Sequence, residues 1–213
     1  MDFLPEELDQ FITSNTEKEP AILAELNHET WEKVLIPRML SGHFQGRVLS
    51  MLSHMIHPLT VLEIGTYTGY SAICLAEGLQ KGGEIYTIDI NEELESMVNK
   101  YIEKSKLKNT IINQIGNAID IIPSLTKKFD LVFIDADKLN YSNYYDLVFD
   151  KVNTGGYIIA DNVLWSGKVT EARENLDADT IALIDFSEKV TKDDRVQNVL
   201  FPIRDGLMVV RKK

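Results

Sequence analysis

The sequence contains very little cysteine, little positive charge and no long apolar run. A single cysteine in 213 residues excludes an intramolecular disulfide and fits a reducing, cytoplasmic compartment. Because 22 basic residues face 33 acidic ones, the net charge is −11, which disfavours nonspecific binding to nucleic acid or to an anionic membrane. No stretch approaches about 18 consecutive apolar residues, and the acidic start, MDFLPEELDQ, lacks the pattern of a signal peptide. We therefore expect a cytoplasmic protein with no nucleic-acid or membrane partner.

The chain does have enough apolar sequence, 44% of its residues, for one sizeable core, and it is short for two independent domains. Before residue 59, apolar side chains recur at helical spacing. The predicted helices are PEELDQFITS, the segment from Pro20 to Val34, and RVLSMLSHMI (47–56). We therefore predict a single domain, 1–213, in which a helical N-terminal segment, 1–58, precedes a core, 59–213.

In that core, short apolar runs alternate with helical segments. The runs predict the strands TVLEI (60–64), EIYTID (84–89), TIINQI (110–115), FDLVFID (129–135) and GYIIAD (156–161). Helices are predicted between them at 70–79, 92–106, 117–125 and 141–152. This alternation is typical of an α/β fold, in which helices wrap a mostly parallel sheet. At the end of the chain, RVQNVLFPI and LMVVRK flank a turn at Arg204-Asp205-Gly206, which predicts an antiparallel hairpin at one side of the sheet.

Acidic side chains stand at the ends of four of the five predicted strands. They are Glu63 after the first strand, Asp89 after the second, Asp135 with Asp137 after the fourth, and Asp161 with Asn162 after the fifth. In an open parallel sheet, ligands bind beyond the carboxyl ends of the strands. We therefore expect the functional site at this edge.

The stretch VLEIGTYTGYSA joins the first predicted strand to the following helix through Gly65 and Gly69. Glycines in such a loop let the backbone approach a ligand closely. The alternative is a tight turn that only packs well, in which Thr68 or Ser71 caps the helix.

The carboxylates beside this loop narrow the choice of ligand. Asp89 can accept hydrogen bonds from both hydroxyls of a ribose. The loop lacks G-x-G-x-x-G, and Glu63 would repel a pyrophosphate, which weakens the alternative of an NAD-dependent oxidoreductase. S-adenosylmethionine, with an ammonium, a sulfonium and no phosphate, fits better.

A second group of residues suits a metal ion. Asp135, Asp161 and Asn162 offer three hard oxygen ligands, which suit Mg²⁺, Ca²⁺ or Mn²⁺, although such residues also cap helices. Lys138 lies three residues beyond Asp135, and a lysine beside a metal site can take a proton from a hydroxyl. The alternative is a surface lysine paired with Asp137.

Four stretches together resemble the metal-dependent O-methyltransferases, the family of caffeoyl-CoA and catechol O-methyltransferases and their bacterial relatives. They are VLEIGTYTGYSA, FDLVFIDADKLNYSNYY, GGYIIADNVLWSG and the terminal PIRDGLMVVRK, in order from about residue 38 to residue 211. The resemblance implies a Rossmann-like class I S-adenosylmethionine methyltransferase fold, a divalent metal and a homodimer.

The same resemblance implies roles for individual residues. The cofactor would contact Met39, Ser41, Glu63, Gly65, Tyr67, Gly69, Ser71, Asp89, Ala118 and Asp135. Asp135, Asp161 and Asn162 would hold the metal, Lys138 and Asp135 would serve catalysis, and Trp165 with Lys138 would contact the acceptor. The implied reaction is methyl transfer to a hydroxyl of a catechol-like, phenolic or other vicinal-oxygen small molecule. A methyltransferase-like domain that binds without turnover is the remaining alternative.

Overall fold

Helices and parallel strands alternate along most of the chain. The computed structural model describes residues 5–108 and 110–213. The chain divides into an amino-terminal unit, which ends at Asn117, and a carboxy-terminal unit, which begins at Ala118. None of the helices in the described ranges is long and apolar enough to cross a membrane.

The amino-terminal unit begins with helices and continues as alternating strands and helices. Its elements, over the described part of the chain, are α1 (Glu6–Ser14), α2 (Ala21–Lys33), α3 (Gly42–Ile56), β1 (Thr60–Ile64), α4 (Tyr70–Ala76), β2 (Glu84–Asp89), α5 (Glu95–Lys104) and β3 (Ile111–Ile115). The three strands run parallel in the order β3-β2-β1.

Strand β1 is buried because its side chains are apolar on both faces, as in parallel sheets covered by helices. Val61 and Leu62 are completely buried. The register places Glu63 beside Thr87 and Ile64 beside Ile88. The carboxyl ends of β1 and β2 therefore lie side by side, as the sequence predicted.

Helix α3 packs closely against α4. A Cβ atom on Gly46 would lie 2.5 Å from the ring of Tyr70 and 2.9 Å from the sulfur of Cys74, so only glycine fits there. Arg47 donates two hydrogen bonds to Glu77, at 2.8 and 2.9 Å. Burial raises the pKa of the Cys74 thiol to about 12, which leaves it an inert packing group.

The carboxy-terminal unit contains α6 (Ala118–Ser124), β4 (Phe129–Ile134), α7 (Tyr141–Phe149), β5 (Val152–Ala160), α8 (Ala178–Thr191), β6 (Val196–Phe201) and β7 (Leu207–Lys212). Strands β4 and β5 are parallel. Strand β7 pairs antiparallel with β5 on one side and with β6 on the other. The predicted α/β class, with parallel strands, a C-terminal antiparallel hairpin and N-terminal helices, is confirmed.

Two elements begin well before their predicted starts. Helix α3 begins at Gly42, ahead of the predicted start at residue 47, and β5 begins at Val152, ahead of Gly155 and Gly156. Gly155 has φ +82, and the pairing with β4 shifts near its start, so the two glycines lie within an irregular strand. Helix α8 was not predicted. The extent of the single domain stays a prediction.

Candidate functional site

The loop after β1 contains several residues with positive φ, a conformation that favours glycine. Gly65 and Gly69 have φ +100 and +87, and Tyr67 between them has φ +51. Gly69 is the N-cap residue of α4, and this position provides no side-chain hydrogen bond to the helix. The alternative of a turn in which Thr68 or Ser71 caps α4 is therefore not favoured.

Asp89 connects the end of β2 to this loop. Its Oδ2 accepts the backbone N–H of Tyr67 at 2.7 Å, and its Oδ1 accepts the N–H of Asn91 at 2.8 Å. A carboxylate has about four acceptor positions, so further donors such as ribose hydroxyls can bind. Asp89, the residue predicted to bind the ribose, therefore lies next to the glycine loop.

Glu63 is completely buried beneath the loop. The hydroxyl of Thr87 donates to Glu63 Oε2 at 2.5 Å, and the Thr66 and Thr87 hydroxyls lie 2.5 Å apart. Sequence analysis did not single out these threonines. A predicted pairing of β1 with β2 could have identified Thr87, because Thr87 is the residue of β2 that lies beside Glu63.

Tyr67 also contacts the segment between α2 and α3. Its hydroxyl donates to the backbone oxygen of Ile36 at 3.0 Å. In this segment, Met39 is 57% exposed and Ser41 is half-buried. Ser71, on the first turn of α4, is buried.

In the carboxy-terminal unit, Lys138 lies at the centre of an oxygen cluster. Its Nζ donates to Asp135 Oδ1 at 3.0 Å, to Asn162 Oδ1 at 2.9 Å and to the Tyr141 hydroxyl at 2.7 Å. Lys138 is only 8% exposed, so the alternative of a surface lysine is wrong. Its suggested partner, Asp137, is outside the cluster.

Asp137 instead organises the start of α7. The hydroxyl of Tyr144 donates to Asp137 Oδ1, and the amide of Asn140 donates to Asp137 Oδ2, both at 2.5 Å. These contacts separate the roles of two nearby carboxylates, Asp135 and Asp137, that look equivalent in the sequence.

Asp161 and Asn162 follow β5 directly. Asp161 is 2% exposed, its N–H donates to the oxygen of Ile134 at the end of β4, and its Oδ1 accepts the N–H of Asn162 at 2.7 Å. The two strand ends are thus joined, which brings these side chains to the edge of the sheet that holds Asp135.

The hydroxyl of Tyr141 also belongs to the cluster. That hydroxyl contacts Lys138 and donates to the backbone oxygen of Asp161 at 3.1 Å. Complete burial, reinforced by the charges of Asp135 and Asp161, raises the pKa of Tyr141 well above 10. The residue therefore stays protonated at neutral pH.

The donor set fits a hard divalent cation. The oxygens of Asp135 and Asn162 both accept a hydrogen bond from Lys138 Nζ, so two of the three predicted metal ligands converge on one point. Carboxylate and amide oxygens are the ligands that Mg²⁺ and Ca²⁺ prefer. Within 5–108 and 110–213, no group of three or more His, Cys, Asp and Glu side chains could hold a metal, so a site here would rest on two carboxylates and an amide.

Two further predicted residues have clear positions. Trp165 is half-buried, and Lys138 Nζ lies 5.6 Å from the centre of its ring. Ala118 is the first residue of α6 and is 6% exposed. Their roles beside the acceptor and the adenine stay predictions.

A model of the O-methyltransferase family matches residues 12–213 of this sequence. The chain belongs to the O-methyltransferase family. Caffeoyl-CoA O-methyltransferase from Petroselinum crispum is 32% identical to this O-methyltransferase over 211 residues, which cover 94% of this chain and 87% of the relative.

Solved structures agree with this assignment. The O-methyltransferase from Bacillus cereus in complex with SAH matches with a TM-score of 0.90 at 27% identity and covers 97% of each chain. TomG, an O-methyltransferase from Streptomyces achromogenes in complex with SAM, matches with a TM-score of 0.88 at 26% identity and covers 97% of this chain and 96% of its own.

These matches confirm the predicted O-methyltransferase and its fold. They support S-adenosylmethionine as the cofactor and do not favour the NAD-dependent alternative. The roles of the site residues, the metal, the catechol-like acceptor, the homodimer and the cytoplasmic location stay predictions.

Proposed function

We propose that this O-methyltransferase transfers a methyl group from S-adenosylmethionine to a hydroxyl of a catechol-like or other vicinal-oxygen small molecule, and that it uses a divalent cation. The observation that carries the proposal is the oxygen cluster, in which two of the proposed metal ligands, Asp135 and Asn162, both accept a hydrogen bond from Nζ of the proposed base, Lys138. The family and the two neighbours that hold SAH or SAM support the cofactor.

The amino-terminal unit would bind the cofactor, which supplies a methyl group on a positively charged sulfur. Asp89 accepts the ribose hydroxyls, and its bond from the Tyr67 N–H fixes its orientation. The glycine loop allows close backbone approach. The remaining proposed contacts are Met39, Ser41, Glu63, Gly65, Gly69 and Ser71 of this unit, together with Ala118 and Asp135 of the carboxy-terminal unit.

The carboxy-terminal unit would bind and activate the acceptor. Asp135, Asp161 and Asn162 would hold a divalent cation, which would supply Lewis-acid chemistry and so lower the pKa of a neighbouring hydroxyl. Lys138, in its neutral amine form, would accept the hydroxyl proton at Nζ, and Trp165 offers an aromatic face beside it for the acceptor ring. Orienting two bound reactants can supply about 7–11 kcal/mol of the barrier.

A turnover assay tests this proposal. The purified protein is incubated with S-adenosylmethionine and with protocatechuic acid, caffeic acid or resorcinol, in Mg²⁺ or in EDTA, and products are read by mass spectrometry as the gain of one methyl group. We expect methylation of the two vicinal diols in Mg²⁺, little with resorcinol, whose hydroxyls are not adjacent, and none in EDTA.

Each contrary result removes a different part of the proposal. Full turnover in EDTA rules out the metal. Calorimetric binding of S-adenosylmethionine without turnover of any acceptor indicates a domain that binds only, and binding of NAD instead restores the oxidoreductase alternative.

A homodimer belongs to the proposal on the family resemblance alone. Light scattering of the purified protein gives its mass directly, and we expect about twice the 24.2 kDa of the chain. A mass equal to that of one chain contradicts this assembly without affecting the proposed reaction.

A further inference from the structure

The turn between β6 and β7 binds a second loop besides reversing the chain. The backbone oxygen of Asp205 accepts the N–H of Leu164 at 2.8 Å, and that of Gly206 accepts the N–H of Val163 at 3.2 Å. The side chain of Asp205 adds a third contact, because its Oδ1 accepts the N–H of Ser166 at 2.6 Å. Three backbone amides of one loop are therefore held by two turn residues.

The loop held in this way, residues 162–167, has an unusual backbone. Asn162, Trp165, Ser166 and Gly167 have φ +59, +44, +59 and +82. Residues other than glycine rarely adopt such angles, and each costs about 1–3 kcal/mol unless its surroundings impose it. The contacts from the turn are the kind of external restraint that this conformation needs.

The turn approaches the loop so closely that only glycine fits at one position. A Cβ atom on Gly206 would lie 2.5 Å from Leu164 Cγ and 3.1 Å from Leu164 N. Gly206 also has φ +89, which a side chain would strain. Because Gly206 has no side chain, the backbone of the turn can approach Leu164 and Val163 closely enough for these contacts.

The loop carries two side chains that face Lys138. Asn162 Oδ1 accepts from Lys138 Nζ at 2.9 Å, and the Trp165 ring centre lies 5.6 Å from the same nitrogen. Their backbone lies on either side of the Val163–Leu164 pair that the turn binds. The position of both side chains therefore depends on how firmly the loop is held.

We infer that Asp205 is a positioning residue of this enzyme: through the backbone of Ser166 it holds the 162–167 loop so that Asn162 and Trp165 face Lys138. The structural part of the inference stands on these contacts, and its consequence for turnover rests on the proposed function. Asp205 acts on the acceptor side of the reaction and leaves cofactor binding unchanged.

Trp165 is a convenient reporter, because the sequence has only two tryptophans. In a Trp31→Phe background, Asp205→Ala removes the acceptor of the Ser166 N–H, and Asp205→Asn keeps an oxygen at the same place. Asp205→Glu keeps the charge and displaces the oxygens by one methylene. Asp194→Ala changes an exposed aspartate near the start of β6 and is the matched control.

The readouts are acrylamide quenching of Trp165 fluorescence, kcat and KM for protocatechuic acid, calorimetric binding of S-adenosylmethionine, and circular dichroism. For Asp205→Ala we expect stronger quenching and an about tenfold lower kcat/KM for the acceptor, the effect of losing one charge-assisted hydrogen bond. We expect Asp205→Asn to stay within about threefold of the parent, since a neutral acceptor binds more weakly. Cofactor affinity and the Asp194→Ala control should match the parent.

Parental quenching and parental kinetics in folded Asp205→Ala overturn the inference. If that variant does not fold, Asp205→Glu decides in the same way, because its oxygens cannot occupy the native position without movement of the turn. If the parent methylates no acceptor, the proposed function fails, and the quenching measurement still tests whether Asp205 holds the loop.

Discussion

Lys138 is the residue on which the proposed proton transfer depends. Lys138→Met keeps the length and apolar stem of the side chain and deletes the amine. Removal of a general base costs about 10²–10⁴ in rate, so we expect kcat to fall in that range while calorimetric binding of S-adenosylmethionine stays nearly unchanged. The loss should be smaller for acceptors with more acidic hydroxyls, because these need less help to lose the proton.

Lys192→Met is the control, since Lys192 follows the last residue of α8 in the same unit and its side chain is 74% exposed. A loss that is uniform across acceptors of different acidity would point to a positioning role for Lys138, through its bonds to Asp135 and Asn162. Wild-type kcat in Lys138→Met would exclude it from the chemistry.

At the scale of elements, α2 is attached to α5 by charged side chains. Glu29 on α2 accepts hydrogen bonds from Lys100 and the Tyr101 hydroxyl, both at 2.5 Å, and Glu25 pairs with Lys104. The Lys100 ammonium, followed by the Tyr101 hydroxyl, lowers the pKa of Glu29 from 4.5 to about 2.

A depressed pKa gives a stability contribution that is complete above 4.5 and is lost as the pH falls towards 2. We expect Glu29→Gln to lower the free energy of unfolding in urea at neutral pH, and the difference from wild type to shrink across that window. Added salt should also reduce it. Glu32→Gln, exposed on the same helix, is the control, and a difference that is independent of pH would contradict the role of the Glu29 charge.

Elements with strong apolar periodicity were predictable from the sequence. Strands β1, β2 and β7 match their predicted residues, because short, mostly apolar runs bounded by turns predict strands. Helix α8 was missed, since its residues mix apolar and charged side chains and follow a long stretch with no clear period. The early start of β5 depends on strand pairing around Gly155, which the local sequence does not reveal.

At the scale of the whole molecule, the proposed residues for cofactor binding lie mostly in the amino-terminal unit. Those for acceptor binding and activation lie in the carboxy-terminal unit. Asp89→Ala removes a charge-assisted acceptor, worth about 1.5–3 kcal/mol, and should weaken S-adenosylmethionine binding about tenfold or more. Asp161→Ala should abolish metal-stimulated turnover and leave that binding nearly intact. Calorimetry and turnover are measured on both variants, and circular dichroism checks that each is folded. Each variant then serves as the control for the other. Weakened S-adenosylmethionine binding in Asp161→Ala, or unchanged binding in Asp89→Ala, would contradict this division.

The candidate site could be predicted as a set of residues but not as a set of contacts. Residue type and position at strand ends were enough to select Asp89, Asp135, Asp161 and Asn162. The contacts that hold those residues come from tertiary packing. Tyr141, from the next helix, donates to the backbone oxygen of Asp161, and Asp205, in a turn more than forty residues beyond Asn162 in the sequence, holds the loop that Asn162 begins. Motif spacing has no signal for such contacts.

The close approach of Gly206 to Leu164 has a consequence for chain length. Hairpin tips on a protein surface usually tolerate inserted residues. We expect this tip not to tolerate them, because the backbone oxygens of Asp205 and Gly206 accept hydrogen bonds from amides of another loop. One residue added between Ile203 and Gly206 would displace these carbonyls from Val163 and Leu164. A peptide tag or fused domain placed at this turn would therefore disturb the site, whereas a junction after Lys213, which is exposed and lies beyond β7, is safer.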